Sequence, residues 1–280
     1  GSMPENDEVA SLSYFNSVWT NPKNGVEHIK IRKWMPFAKC DDCVKYREDF
    51  SHSRCTLEKT ELSVAHRKHI AFVKRERCTY AKHRVEAQMS PESHLSIIID
   101  GADAARFSLP YFRSGSHISD AAWKLRMHIL GAIAHGRNTY AFLLPSHIAQ
   151  GNNVTCEVLR RVIDDVMKEE GKLPPILKLQ LDNTVKQNKS KFLIAFCEHL
   201  VDAGLFKYIE LNFLPVGHTH EDIDQFFSRI SVYMRSHNAM SRLQLKAHIE
   251  NCYKIYGKYP KVEILDSVTN FSGYFEDELH

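Results

Sequence analysis

Ile176-Leu177-Lys178-Leu179-Gln180-Leu181-Asp182-Asn183 is the stretch on which the fold turns. Apolar and polar residues alternate, which is the period of a strand, and the run stops at an acid and an amide. Before it, Asn152 or Asn153 opens a helical pattern that runs to about Glu170, where Gly171 and Pro174-Pro175 end it. After it, Lys189–Ala203 reads as a second helix closed by Gly204. Tyr208–Leu214 reads as a strand ending at Pro215, and Glu221–Arg235 as a third helix beyond a turn at Gly217. Further upstream, Leu95–Asp100 is another short apolar run that ends in an acid. Arg126–Ala134 and Thr139–Leu144 flank His135-Gly136-Arg137-Asn138, which has the composition of a hairpin turn.

The order is therefore three strands, helix, strand, helix, strand, helix. Short connections make the early strands antiparallel neighbours, and the intervening helices make the later ones parallel crossovers. This is the element order of the ribonuclease H-like fold. It predicts a mixed five-stranded sheet flanked by helices over residues 92–236. Residues 3–91 are expected to form a Cys/His segment, a short extended stretch at Val26–Trp34 and a long basic helix, packed around that core. Residues 237–280 are expected to add one helix near Leu243–Tyr256 and an irregular tail. Gly1 and Ser2 before Met3 read as a scar of tag removal.

With 280 residues, 43% hydrophobic and 25% charged, the chain has material for a sizeable core, which excludes disordered, collagen-like and coiled-coil classes. Apolar runs such as Leu95–Ile99 are too short to cross a bilayer, and no export signal opens the chain. An intracellular protein with no membrane partner is the expectation. The net charge of +3 does not identify a nucleic-acid binder, so the distribution of charge decides. Residues 61–87 hold seven basic residues (Arg67, Lys68, Lys74, Arg75, Arg77, Lys82, Arg84) against three Glu. With Val64, Ala71 and Val85 as an apolar stripe, they read as one amphipathic helix. Such a helix suits a phosphate backbone, or serves solubility alone. Phe72 and Tyr80 are too sparse for stacking on single strands. Arg242, Lys246, Lys254 and Lys258 offer further DNA contacts, or are simply solvated.

The acids carry the chemistry. Asp100 ends the first strand, Asp182 ends the fourth, and Glu221, Asp222 and Asp224 begin the last helix. In a ribonuclease H-like sheet the first and fourth strands are neighbours, so their ends bring two carboxylates together and the helix adds a third. Singly, each acid is as well explained as a cap or turn residue. Together they repel one another unless a cation sits between them. Hard oxygen ligands suit Mg²⁺ or Mn²⁺, and two such ions about 4 Å apart activate a hydroxyl and stabilise the leaving oxygen of phosphoryl transfer. On a helix Glu221 and Asp224 share a face, while Asp222 points about 100° away and is expected to complement the helix dipole. Lys186, Gln187, Asn188 and Lys189 suit phosphate oxygens at a helix N-terminus, the plainer alternative being a solvated first turn. Asn183 joins them as a substrate contact, or caps that turn. His218 is suited to ligating metal, positioning a phosphate, or holding the turn beside Gly217.

Leu181-Asp182-Asn183 with Gln187-Asn188-Lys189, and Phe213-Leu214-Pro215-Val216-Gly217-His218-Thr219-His220-Glu221-Asp222-Ile223-Asp224, resemble transposon-derived ribonuclease H-like domains of eukaryotic mobile elements. The resemblance extends to Leu109-Pro110 and to a Cys-x-x-Cys pair with a following His, and covers most of the chain. Members read Gly-His-Ser/Thr and then Asp a few residues later, which implies Asp224 as the third acid and Glu221 as its substitute. The resemblance implies a transposase- or integrase-like domain. Asp100, Asp182 and Asp224 would hold two Mg²⁺ or Mn²⁺ ions, with His218 in the catalytic set. DNA would be the substrate, with RNA as the alternative, and the chain would work in the nucleus with a homodimer as the paired form. A nuclease with the same site, and a decayed nucleic-acid- or protein-binding module, are the alternatives.

Seven cysteines without an export signal point to reduced thiols or metal ligands. Cys40 and Cys43 form a C-x2-C pair, Cys55 follows after eleven residues, and His66 and His69 after ten more. These separations are compatible with a structural zinc. Cys40, Cys43 and His69 match the family pattern, with Cys55 or His66 as the fourth ligand, and free thiols are the alternative. Cys78, Cys156, Cys197 and Cys252 read as lone packed thiols.

Overall fold

The structure, a computed structural model, describes residues 40–102, 107–114, 123–182, 190–213, 215, 217–218, 221–253 and 259–276. All of them belong to the second of two units, Lys39–His280. The stretch Val26–Trp34 and the residues Asn183, Lys186, Gln187, Asn188 and Lys189 lie outside the described residues.

The strands are β1 (His94–Gly101), β2 (Met127–Ala134), β3 (Thr139–Pro145), β4 (Ile176–Leu181), β5 (Tyr208–Phe213) and β6 (Lys261–Ile264). They form one sheet in the order β5-β4-β1-β2-β3-β6. β2 runs antiparallel to β1 and β3, and the β1–β4, β4–β5 and β3–β6 pairs are parallel. The adjacency of β1 and β4, on which the expected site depends, is present. The strand count is a correction. Instead of an irregular tail, Lys261-Val262-Glu263-Ile264 pairs with β3 as a sixth strand. Four residues are too few for a periodic signal, and the strand forms because β3 would otherwise present an open edge.

β1 is buried without a break from Leu95 to Ile99, with Ser96 the one polar residue, because it is central and covered on both faces. Leu95, Ile97 and Ile99 pack with Leu177, Leu179 and Leu181 against α3 (Asn152–Glu170), α4 (Lys191–Asp202) and α7 (Phe271–Glu276). Ile98, Met127, Ile129 and Leu143 face the other way, against α5 (Asp222–Met234) and α6 (Arg242–Asn251). The helix ends follow local chemistry: Gly171 closes α3 in the left-handed conformation, and the Ser190 side chain accepts from Leu193 N–H at the start of α4.

Two further helices, α1 (Asp41–His52) and α2 (Thr56–Met89), pack as a pair before the sheet. α2 buries Val73, Tyr80, His83 and Ala87. The expected stripe is therefore corrected: Val64 and Val85 are 38% and 55% exposed. The buried face instead carries Val73, Tyr80 and Ala87 at seven-residue spacing, and polar anchors on the C-terminal half, Tyr80 to Asp222 and Glu86 to Lys178, hold it in place. Cys78, two residues from Tyr80, points away from the sheet and is exposed, whereas Cys156, Cys197 and Cys252 are buried. Among the described residues, no helix is long and apolar enough to cross a membrane.

Candidate metal centres

The register of β1 and β4 ends at Ile99 opposite Leu181, which sets Asp100 and Asp182 side by side one step beyond the last pair. The strand period of two puts Asp100 on the face of Ile98, and Asp182 on the face of Gln180. Both acids line a small cleft with Ile98, Gln180 and Ile223, the last from the first turn of α5. They also border an open cleft of about 190 Å³ with Gly101, Gln150, Gly151 and Thr155.

Gly131 brings α5 this close. It pairs with Asp100 across β1 and β2, and a Cβ at that position would lie 2.8 Å from Phe227 Cζ and 2.9 Å from Ile223 Cδ1. With no side chain on β2 at that point, the start of α5 rests on the strand and carries Asp224 toward Asp100. The electrostatics register the approach. Burial pushes the Asp100 carboxyl up to about 7; the Gly101 N–H, donating to Oδ1 at 2.8 Å, opposes this, and the charges of Asp182 and Asp224 add to it. Asp224 Oδ2 accepts from Glu221 N–H at 3.0 Å, which fixes the carboxylate against its own helix turn.

The other two acids of this turn face elsewhere. Glu221 lies 3.3 Å from Arg77 Nε of α2. Asp222 stands in the first turn of α5, as expected of an acid that complements the helix dipole, and is also the centre of a half-buried clamp. Tyr80 O–H donates to Oδ1 at 2.6 Å, while His135 Nε2 and Arg84 Nε approach Oδ2 at 3.1 and 3.2 Å. Against the effect of burial, His135, Tyr80 and Arg84 hold Asp222 below the usual carboxylate range. Ser96 Oγ lies 3.0 Å from His135 Nδ1, so Ser96, His135 and Asp222 have the composition of an acyl-transfer triad. Ser96 is 1% and His135 3% exposed, so no substrate reaches them, and the network serves to tie α2, the β1–β2 pair and α5 together. Its members come from separate elements and leave no spacing signal in the sequence. Arg77 and Arg84 of the basic helix are thus engaged within the fold. Arg242 pairs with Asp266 at 2.6 Å and Lys246 with Glu250 at 3.7 Å, while Lys254 and Lys258 lie outside the described residues.

A second group forms where α1, α2 and the loop before α5 meet. Cys40 Sγ lies 3.4 Å from His69 Nε2, Cys43 Sγ 3.4 Å from His218 Nε2, and the two Nε2 atoms are 3.2 Å apart. The four ligand atoms all fall within 4.8 Å of one another. Burial and the neighbouring Cys40 push the Cys43 thiol up to about 11. Soft sulfur and imidazole donors in this number suit zinc. His218 stands here rather than among the carboxylates, and it takes the place expected for Cys55 or His66. Cys55 is exposed at the N-cap of α2, and the His66 ring packs 5.6 Å from Tyr46. The reason is distance along the chain: His218 follows His69 by 149 residues, beyond the reach of any spacing rule within the N-terminal segment.

The family model described as a domain of unknown function, DUF7869, matches residues 118–280. The chain belongs to this family. The DUF7869 span contains Asp182, His218 and Asp224, while Asp100, Cys40, Cys43 and His69 precede it. No curated protein matches the chain. Among solved structures, it is similar to a Mos1 transposase paired-end complex with the left transposon end, at 10% identity and a TM-score of 0.33, over 91% of this chain and 90% of that one. A mariner Mos1 paired-end complex with Mg matches at 9% identity and a TM-score of 0.30, over 90% and 89% of the two chains. The corresponding complex with Mn matches at 8% identity and 0.30, over 90% and 87%. In this DUF7869 chain the strand order β5-β4-β1-β2-β3 is the one expected of the ribonuclease H-like fold.

Proposed function

We propose that this chain is a transposase- or integrase-like domain of mobile-element origin. It would cleave or join phosphodiester bonds in DNA through Mg²⁺ or Mn²⁺ ions held by Asp100, Asp182 and Asp224. One observation carries the reading: Asp100 and Asp182 end adjacent parallel strands on the face where α5 lands, and the charge of Asp224 reaches Asp100. Three carboxylates so placed retain a proton or take up a cation, and an all-oxygen donor set favours Mg²⁺ or Mn²⁺. When bound, such ions supply a Lewis acid and an activated water or 3′-hydroxyl. The chain's own part is to hold the acids still. Gly101 N–H fixes one oxygen of Asp100 and Glu221 N–H one of Asp224, so each presents its other oxygen. Asn183, Lys186, Gln187, Asn188 and Lys189 are assigned to the DNA backbone, and the nucleus is then where the chain works. In this reading residues 92–236 form the catalytic core and residues 3–91 its N-terminal support. Residues 237–280 complete the sheet through β6.

The test is cleavage and strand transfer on labelled DNA with Mg²⁺ or Mn²⁺, comparing the wild type with Asp182→Asn. Metal-dependent cutting that is lost in the variant is the expected result. DNA binding without cutting in either protein would make the chain a binding module and overturn the catalytic reading.

A further inference from the structure

We propose that Cys40, Cys43, His69 and His218 bind one zinc ion, and that this ion pins the loop before α5 and so sets where Asp224 stands. The metal site rests on geometry alone; the consequence for Asp224 rests on the functional reading above.

A tetrahedral site with Zn–S of about 2.3 Å and Zn–N of about 2.05 Å has N–N edges near 3.3 Å and S–N edges near 3.6 Å. The observed separations are 3.2 Å between the imidazole nitrogens and 3.4 Å for both sulfur–nitrogen pairs. Three edges of the four-donor group therefore match a tetrahedral zinc site, and the other three fall within 4.8 Å. Two thiolates and two imidazoles fill the coordination sphere, which marks a structural site with no open position for substrate. His69 turns its other ring nitrogen toward Asp42 Oδ2 at 3.8 Å, the side from which a carboxylate orients a liganding imidazole.

The loop is built to deliver His218. Its N–H donates to Pro215 O at 3.1 Å, closing the turn. Gly217 has φ of 76°, and a Cβ there would lie 2.6 Å from both N and Cα of Cys40. The loop backbone thus rests directly on the backbone of the first cysteine, which only glycine permits on both counts. The two residues of the Gly-His pair act in sequence, glycine allowing the approach and histidine making the bond. Six residues later stands Asp224, and the intervening Glu221 and Asp222 are gripped by Arg77 and Arg84. Those two arginines share α2 with His69. A metal joining His69 to His218 therefore locks α2 and the loop to each other on the side of α5 that carries the third acid.

Elemental analysis of the full chain purified without chelator is expected to give about one zinc per chain. His218→Ala should lose it, while His66→Ala and Cys55→Ser keep it. Cobalt substitution should give thiolate-to-metal charge transfer and the d–d absorption of a tetrahedral site. His218→Cys, which restores a donor, should recover the stoichiometry and guards against a trivial folding failure. Hydrogen exchange at the Glu221 and Asp224 amides should accelerate about tenfold on zinc removal, with β1 and β4 unchanged. Mn²⁺ binding should weaken about tenfold in His218→Ala and recover in His218→Cys. A wild type without zinc, or zinc retained in His218→Ala, overturns the site. Zinc loss with no change in exchange at Glu221 and Asp224 overturns the link to α5. If Asp100→Asn and Asp182→Asn leave Mn²⁺ binding untouched, the functional reading fails, while stoichiometry and exchange still decide the zinc clamp.

Discussion

Gly131→Ala adds one methyl group at the point where α5 rests on β2, opposite Asp100. The added carbon would meet Phe227 and Ile223 at 2.8 to 2.9 Å. Ordinary carbon contacts begin at about 3.5 Å, so the opposing surface has to retreat by roughly 0.6 Å. Ile223 Cδ1 is the end of a flexible side chain and yields easily. The Phe227 ring is rigid and only 9% exposed, so most of the retreat falls on the helix. Overpacking of this kind costs about 1–3 kcal/mol, and the stiffer unfolded chain returns about 0.4–1 kcal/mol. The net loss is then about 1–2 kcal/mol. Gly101→Ala, one strand away, is the control: no atom lies within 4 Å of its Cβ position and its φ is not positive, so only the favourable unfolded-chain effect remains. The same substitution on neighbouring strands is thus expected to have opposite signs in urea unfolding at constant m-value. Metal-dependent cleavage should fall about tenfold in Gly131→Ala, because a misplacement on the order of 1 Å costs about a hundredfold. Phe227→Leu, harmful alone, should be less harmful in the Gly131→Ala background, with a coupling of at least about 0.5 kcal/mol. Equal stability of the two alanine variants, or undiminished cleavage in Gly131→Ala, would refute the account of how α5 reaches the acids.

Asp100 holds its proton more tightly in the folded state than in the unfolded chain, so unfolding releases a proton between about pH 4 and pH 7. Stability without added Mg²⁺ or Mn²⁺ should therefore fall as pH rises through that window and level off above 7. The ceiling on the loss is about 4 kcal/mol, from roughly three pKa steps of 1.36 kcal/mol each. Asp100→Asn should abolish this component, and a pH-independent difference between wild type and variant would count against the buried cluster. Asp224→Ala should eliminate cleavage at a stability cost of only about 1 kcal/mol, that of the lost bond to Glu221 N–H. Asp222→Ala should do the reverse, costing about 2–4 kcal/mol because it strands the buried Tyr80 and His135 and the partly exposed Arg84, while most cleavage survives at low temperature; thermal melts paired with cleavage assays separate the two. Mg²⁺ at about a hundred times its dissociation constant should stabilise the wild type by about 2.7 kcal/mol, and a similar shift in Asp182→Asn would exclude that acid as a ligand.

Much of this protein is legible along the chain because the signals are local. Alternation in Ile176–Leu181, the apolar run before Asp100, and the stops at Gly171 and Gly204 each depend on residues within a few positions. They yield the elements, their order, and the placing of two acids at strand ends. What the sequence leaves open is whatever depends on which surfaces meet. α2 buries Val73, Tyr80 and Ala87 rather than Val64 and Val85, and the bond from Tyr80 to Asp222 anchors that face to α5. The four residues of β6 become a strand only because β3 offers an edge. Glu221 and Asp224 share a helical face by periodicity, yet Arg77 draws the first aside and Gly131 admits the second. His218 completes the Cys/His group because Gly217 lets a distant loop lie against Cys40. Periodicity and caps are properties of neighbouring residues, whereas ligand sets and buried charge clusters are properties of proximity, which only the folded chain creates.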